Sequence, residues 1–425
     1  MSRRFAFVFG VIVLSLLLAA PGMAQDDGDV VIDFWHGLTG PDGAYLEDMV
    51  NTYNETNEDG VFVNLTVFHW DVFFDRWVAS VAAGDPPDVV IYHINEMPQY
   101  AEAGVVTPIG DLVEEVGVDM TQFTEAVLDM SMWNDELYGF ALDIHPIGMY
   151  YNVDMVEAAG LDPDTPPTTA EELLTWAEAL TLDSDSDGLV DQYGVSAPAV
   201  NVMTFRLWWG LIFQNGGSFI SDDLSEITVA TPEAGEGLEF LRDLVYEYGY
   251  APEGQQDPDT DFLTGGVAIT FQGPWWINGF VEAGLNFRTA PVPVIFDEPG
   301  VWASSHFFGF SVQDDSEGQL AGMKFANWMS ENGALWGLSG QIPASAAARA
   351  DEVFTGSDIY QYQEAFVEEL EYIYYTPPIT QSTEIFAENV QTPLVIGWQS
   401  VMLDALSAED ALAEMQEGIQ EVLDR

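Results

Sequence analysis

Residues 30–92 read VVIDFWHGLTGPDGAYLEDMVNTYNETNEDGVFVNLTVFHWDVFFDRWVASVAAGDPPDVVIY. Val30 to Phe34 is a short apolar run and predicts a strand. Gly43 to Glu55 carries Tyr45, Met49, Val50 and Tyr53 at helical spacing. Val61 to Phe68 alternates and predicts a second strand, and Asp71 to Ala83 a second helix. Pro86-Pro87 stops that helix, because proline lacks the amide donor and clashes with the preceding turn. Asp88 to Tyr92 is then a third strand, and Met97 to Ala103 a short helix. Strand, helix, strand, helix, strand is the signature of a mostly parallel, doubly wound α/β sheet.

The pattern continues outward. Tyr138 to Leu142, Gly148 to Tyr151, Val267 to Phe271 and Phe307 to Val312 have strand length. Thr169 reads as an N-cap with Glu171 and Glu172 in the first turn, opening a helix to Leu180. Thr231 caps a helix running to Tyr248, with Pro232 at its first position. Gly318 to Met329 and Ala408 to Leu423 are helical. A chain of 425 residues, 48% hydrophobic, can fill more than one core. The expectation is two α/β lobes with more than one crossing between them.

Arg3 and Arg4, the apolar run Phe5 to Ala20 and Gly22-Met23-Ala24 read as a secretory signal over residues 1–24. A membrane anchor is the rival reading, but the run falls short of the ~20 residues a span needs. There is no cysteine, which excludes disulfides, thiolate metal sites and a lipidated N-terminal cysteine. The reading is a monomeric protein, exported to the periplasm or beyond and not lipid-anchored.

Tryptophan sits beside glycine at three places: Trp35-His36-Gly37, Trp208-Trp209-Gly210 and Gly273-Pro274-Trp275-Trp276. A large ring at a strand-end turn is expected to face a cleft. Rings with acids, amides and histidines nearby suit a sugar, whose C–H faces stack while its hydroxyls pair with polar groups. Asp143 and His145, two apart in an extended run, point to one side. They read either as cleft hydrogen-bonding groups or as a solvated acid beside a satisfied core histidine.

Asp183, Asp185, Asp187 and Asp191, with Gly188 and the Leu189 carbonyl, have the spacing of a calcium loop. Position 12 is Gly194, so the bidentate glutamate of an EF-hand is missing. A structural Ca2+ or an ordinary acidic surface loop are the two readings; no cofactor for activity is expected. None of the five histidines makes an HxxxH pair, and there is no G-x-S-x-G elbow or phosphate-binding glycine loop. A secreted glycosidase needs only two carboxylates, and a carbohydrate-active enzyme remains the alternative to a binder.

Six motifs in order carry a family resemblance: Ile32-Asp33-Phe34-Trp35-His36-Gly37; Ala83-Gly84-Asp85-Pro86-Pro87-Asp88-Val89-Val90; Leu137-Tyr138-Gly139-Phe140; Tyr150-Tyr151-Asn152; Phe271-Gln272-Gly273-Pro274-Trp275; and Gly340-Gln341-Ile342-Pro343-Ala344. The chain resembles the sugar-binding proteins of ABC importers, of the maltose- and multiple-sugar-binding type. The resemblance implies a two-lobed periplasmic-binding-protein fold with the ligand in a cleft between hinged lobes. It implies lobes of 25–143 plus 291–343 and of 144–290 plus 344–425, no chemistry on the ligand, and delivery to a membrane permease. It places ligand contacts at His36, Tyr92, Asn95, Asp143, His145 and Trp275; the ring and histidine candidates Trp35, Trp208, Trp276 and His306 are added to these from the residues themselves. Trp275 would be the stacking platform and Asp143 the acceptor of paired hydroxyls.

The charge balance is extreme: 9 Lys+Arg against 71 Asp+Glu, net −62, with Lys324 the only lysine. Such a field repels nucleic acid and anionic membranes and favours a neutral ligand. It fits a saline habitat, with an acidic one as rival. Salt screens self-repulsion, so the melting temperature is expected to rise from low to molar salt. A flat melting curve across that range would refute the reading.

Overall fold

β1 (Val30–His36) pairs in parallel with β2 (Val61–Val67), Val30 opposite Val61, and on its other side with β3 (Val89–His93). The structure, a computed structural model, describes residues 30–387 and 391–425; the signal segment 1–24 lies outside the described residues. α1 (Gly43–Thr56) and α2 (Trp70–Ala83) are the crossovers. α1 buries Leu46, Met49, Val50 and Tyr53, and α2 buries Phe73 and Trp77. Each such apolar side chain stabilises the lobe by about 1.5–3 kcal/mol. Gly84, left-handed at φ 77°, ends α2, where a Cβ would be strained.

The first-lobe sheet continues from β3 to His306–Phe310 and then Gly139–Ala141, both antiparallel. The second-lobe sheet runs Phe287–Ala290, Gly148–Asn152, Val267–Gln272, Tyr193–Val195, and only its last pair is parallel. The two-lobed α/β fold is as expected, but the sheets are mixed rather than mostly parallel. The strand His306–Phe310 enters its sheet from the hinge and not through a helical crossover on the same sheet, so nothing forces it parallel.

A third sheet forms the hinge: Ile342–Pro343, Asp143–Pro146, Val301–Ser304 and Ile373–Tyr375. Residues 291–300 stay with the second lobe, because Val292 and Ile295 join its core and Val294 bridges to Thr169. The return crossing therefore falls at Val301–Ser304, beyond the expected border at 291. Gly340 approaches the second lobe closely: φ is +104°, and a Cβ would meet the Pro274 carbonyl at 2.5 Å.

The segment around Trp208 is corrected outright. Val202–Gln214 is a helix with no turn at its aromatic pair, and Trp208 and Trp209 are 0% and 1% exposed. Trp208 Nε1 donates to the Ala234 carbonyl at 2.8 Å, so the ring belongs to the second-lobe core and faces no cleft. The neighbouring Gly210 is required by packing, since a Cβ there would meet the Gly300 carbonyl at 2.8 Å.

Candidate ligand-binding site

In the sheet order β2-β1-β3 the chain passes from β1 to β2 on one side and then crosses back to β3 on the other, and ligands of open α/β sheets bind at such a switch point beyond the strand C-termini. His36 ends β1, His93 ends β3, and Trp70 opens α2 just after β2. The Trp70 ring lies 4.6 Å from His93 and is within 6° of parallel to His306 at 6.3 Å. His306 lies 4.5 Å from His145, and His145 meets the edge of Trp275 at 5.6 Å. Trp70, His306, His145 and Trp275 thus form a continuous line of rings from the first lobe across the hinge to the second.

Asp143 organises this line from below. Its Oδ1 sits 2.9 Å from His145 Nδ1 and accepts the His306 amide at 3.0 Å. Its Oδ2 sits 2.7 Å from His306 Nδ1 and accepts Trp336 Nε1 at 2.7 Å. Burial alone would raise the carboxyl's pKa. The His306 charge and the histidine hydrogen bonds outweigh it and hold Asp143 well below the usual range. Burial likewise disfavours a charged His306, yet the Asp143 carboxylate raises its pKa overall. His145 goes the other way: burial, then repulsion from His306, push it down to about 3. Burial and His306 push His36 to about 3 as well; its Nδ1 accepts the Leu38 amide at 3.1 Å and its Nε2 has no partner.

Asp143 therefore has its oxygens filled by protein donors. It positions histidines rather than accepting ligand hydroxyls, a correction forced by its complete burial. Tyr92 is also corrected. Side chains alternate along a strand, and Tyr92 packs in the first-lobe core against Trp77, Tyr100 and Phe307, leaving His93 at the switch point. Trp35 packs edge-on to Phe68 at 5.0 Å, and Trp276 stacks on Phe280 at 5.3 Å; neither joins the line of rings. Asn95 bridges lobe and hinge, donating to Ser382 Oγ at 3.3 Å and accepting from Ser304 Oγ at 3.4 Å. Beside it Gln99 makes three hydrogen bonds with Thr383, at 2.7, 2.9 and 2.9 Å.

Sequence reasoning missed Trp70, His93, Trp302 and Trp336, and read Arg206, with Arg76 and Arg288, only as leaving room for an acidic ligand. The first two were signalled only by following predicted strands. The Arg206 guanidinium lies over Trp302 at 4.3 Å and over Trp275 at 5.4 Å, a cation–π arrangement. In the acidic loop, Asp183, Asp185 and Asp187 each offer an oxygen within 4.8 Å of the others. Asp191 turns away to accept the Ser184 amide at 2.8 Å, and Leu189 is exposed.

Trp275 is held by its turn. Gly273 lies so close that a Cβ would stand 1.9 Å from the indole. Tyr150 donates its hydroxyl to the Gly273 carbonyl at 2.8 Å, and Gln272 Oε1 accepts the Gly273 amide at 2.9 Å. Gln272 Nε2 donates to Asp259 Oδ1 at 2.6 Å.

The family model for bacterial extracellular solute-binding proteins matches residues 48–360. The chain belongs to this family. The sn-glycerol-3-phosphate-binding periplasmic protein of Shigella dysenteriae is 25% identical to this solute-binding protein over 354 residues, covering 79% of this chain and 78% of the relative. An ABC substrate-binding protein from Listeria monocytogenes, solved with cycloalternan, superposes at a TM-score of 0.80 and 22% identity, covering 93% of this chain and 99% of that one. The maltose/maltodextrin-binding domain of Bdellovibrio bacteriovorus, solved with maltotriose, superposes at 0.78 and 17% identity over 93% and 100%. These structural likenesses establish the two-lobed fold.

Burial raises Asp259 from 3.8 to about 6, only partly offset by Gln272. The folded protein then holds this proton more tightly than the unfolded chain, so stability falls as pH rises from about 4 to about 6 and stays lower above. Asp259→Asn is expected to be the more stable protein at pH 7, by at most ~3 kcal/mol, and to lose that advantage near pH 4. Urea titrations at the two pH values measure it, and equal differences at both would refute it.

Proposed function

We propose that this solute-binding protein captures a neutral sugar or short oligosaccharide between its lobes, leaves it chemically intact and delivers it to an ABC importer permease. The observation that carries this is the ring line from Trp70 through His306 and His145 to Trp275. It spans both lobes, as closure on a stacked, hydroxyl-bearing guest requires. Structural neighbours solved with cycloalternan and maltotriose support a saccharide. Membership of a solute-binding family supports binding over the glycosidase alternative. Arg206 beside Trp275 supports a second reading, a glycerol phosphate like that named for the Shigella relative; the net charge of −62 opposes an anion.

Among the described residues no helix is long and apolar enough to cross a membrane. With no cysteine available for lipidation, the working form is taken to be an exported, unanchored monomer. The acidic loop, closed by the Leu182–Gln192 bridge, is proposed to take a structural Ca2+ through Asp183, Asp185 and Asp187, with the Leu189 carbonyl and Asp191 completing the shell after Asp191 releases Ser184. Calorimetry on chelated, desalted protein should show one calcium per chain; absence of heat leaves an ordinary surface loop.

Calorimetry with mono- and oligosaccharides, and with glycerol phosphate as the competing arm, tests the main reading. Trp275→Ala is expected to weaken saccharide binding at least tenfold, about 1.4 kcal/mol. Unchanged affinity would move the platform elsewhere, and recovery of cleaved saccharide after incubation would make the protein an enzyme.

A further inference from the structure

We propose that His93, His145 and His306 form a binding site for a divalent transition-metal ion of the zinc class at the wall of the cleft. One ring nitrogen from each lies within 4.8 Å of the other two. No local spacing betrays them, because three strands from different parts of the chain bring them together. His93 ends β3, His306 pairs directly opposite it, and His145 comes from the hinge strand Asp143–Pro146.

The surroundings match what a metal-bound imidazole needs. Such a ring donates its second N–H to a carboxylate, which fixes its orientation and strengthens the ligand nitrogen. Asp143 does this for two rings at once, with Nδ1 of His145 at 2.9 Å and of His306 at 2.7 Å. The third ring has its own acid: His93 Nδ1 lies 3.8 Å from Glu96 Oε2, which is buried without any hydrogen-bond partner. With Nδ1 of His145 and His306 held by Asp143, Nε2 of those two rings is the nitrogen left for a metal. The metal displaces the extra proton that Asp143 holds on His306, and two carboxylates behind three then-neutral imidazoles balance a double positive charge. Imidazole donors favour zinc, copper or nickel over calcium or magnesium.

Zinc–nitrogen bonds of about 2.0–2.1 Å place tetrahedral ligands ~3.3 Å apart, so nitrogens already within 4.8 Å of one another need only a small approach on binding. Three protein ligands leave one position open for a water or for an oxygen of the cleft ligand. The site goes beyond the solute reading and does not depend on which solute the cleft takes.

Chelator-stripped protein in molar salt, which screens the acidic surface, is titrated with Zn2+ by calorimetry and with Co2+ by visible absorption. The expected result is one ion per chain, an intense four-coordinate Co2+ band and a raised melting temperature. His93→Gln, a change at a partly exposed strand end, should weaken the affinity at least tenfold. No saturable Zn2+ binding, an affinity unchanged by His93→Gln, or only the weak six-coordinate Co2+ spectrum of oxygen ligands overturns the proposal. The Co2+ spectrum reads the unaltered protein, so it decides even where a variant folds poorly.

Discussion

A carboxylate enclosed at the crossing of the lobes organises this molecule. Asp143 begins a hinge strand and is bonded to His145 in that strand, to His306 at the start of a first-lobe strand, and to Trp336 of the helix Gly333–Gly337. A buried charge is tolerated only when its attraction and hydrogen bonds repay lost hydration. Removing one partner of such a group typically costs about 3–5 kcal/mol. The same bonds set the histidine rings in line where the two lobes meet.

The scarcity of cations explains how the other buried acids are treated. With nine Lys+Arg against 71 Asp+Glu, most carboxylates have no cation to meet. Asp42 accepts from Gln341, Asp88 from Gln313 and Asp259 from Gln272, at 3.0, 2.8 and 2.6 Å. A neutral amide satisfies the lone pairs but supplies no charge, so burial raises all three pKa values. Asp42 also feels the His306 charge, yet burial keeps it raised, whereas Asp143 is bonded directly to two histidines and its pKa moves down.

Glycine beside tryptophan turns out to be a packing device as much as a turn signal. The Trp70 indole covers Gly37, where a Cβ would stand 2.1 Å from the ring, and Trp275 folds over its own Gly273. Backbone stripped of Cβ lets a ring lie flat against a strand end without displacing the strand. That fixes the angle at which each ring meets the histidines between them.

Most strands and helices, and their grouping into two lobes, were legible in local signals. Apolar spacing located β1 to β3 with their helices, Thr169 and Thr231 marked helix starts by the amides they cap at Glu172 and Ala234, and the ordered motifs pointed to the family. These signals are local: a period, a cap or a proline acts within a few residues. Which ring is enclosed and which reaches the hinge depends on packing between distant segments. Trp208 and Trp275 look alike in sequence, yet one is enclosed by its own lobe and the other reaches the hinge. Tyr92 and His93 are neighbours, and the pleat of β3 sends them to different surroundings. The meeting of His93, His145 and His306 over Asp143 depends on strand pairings between distant segments, and no spacing along the chain encodes it.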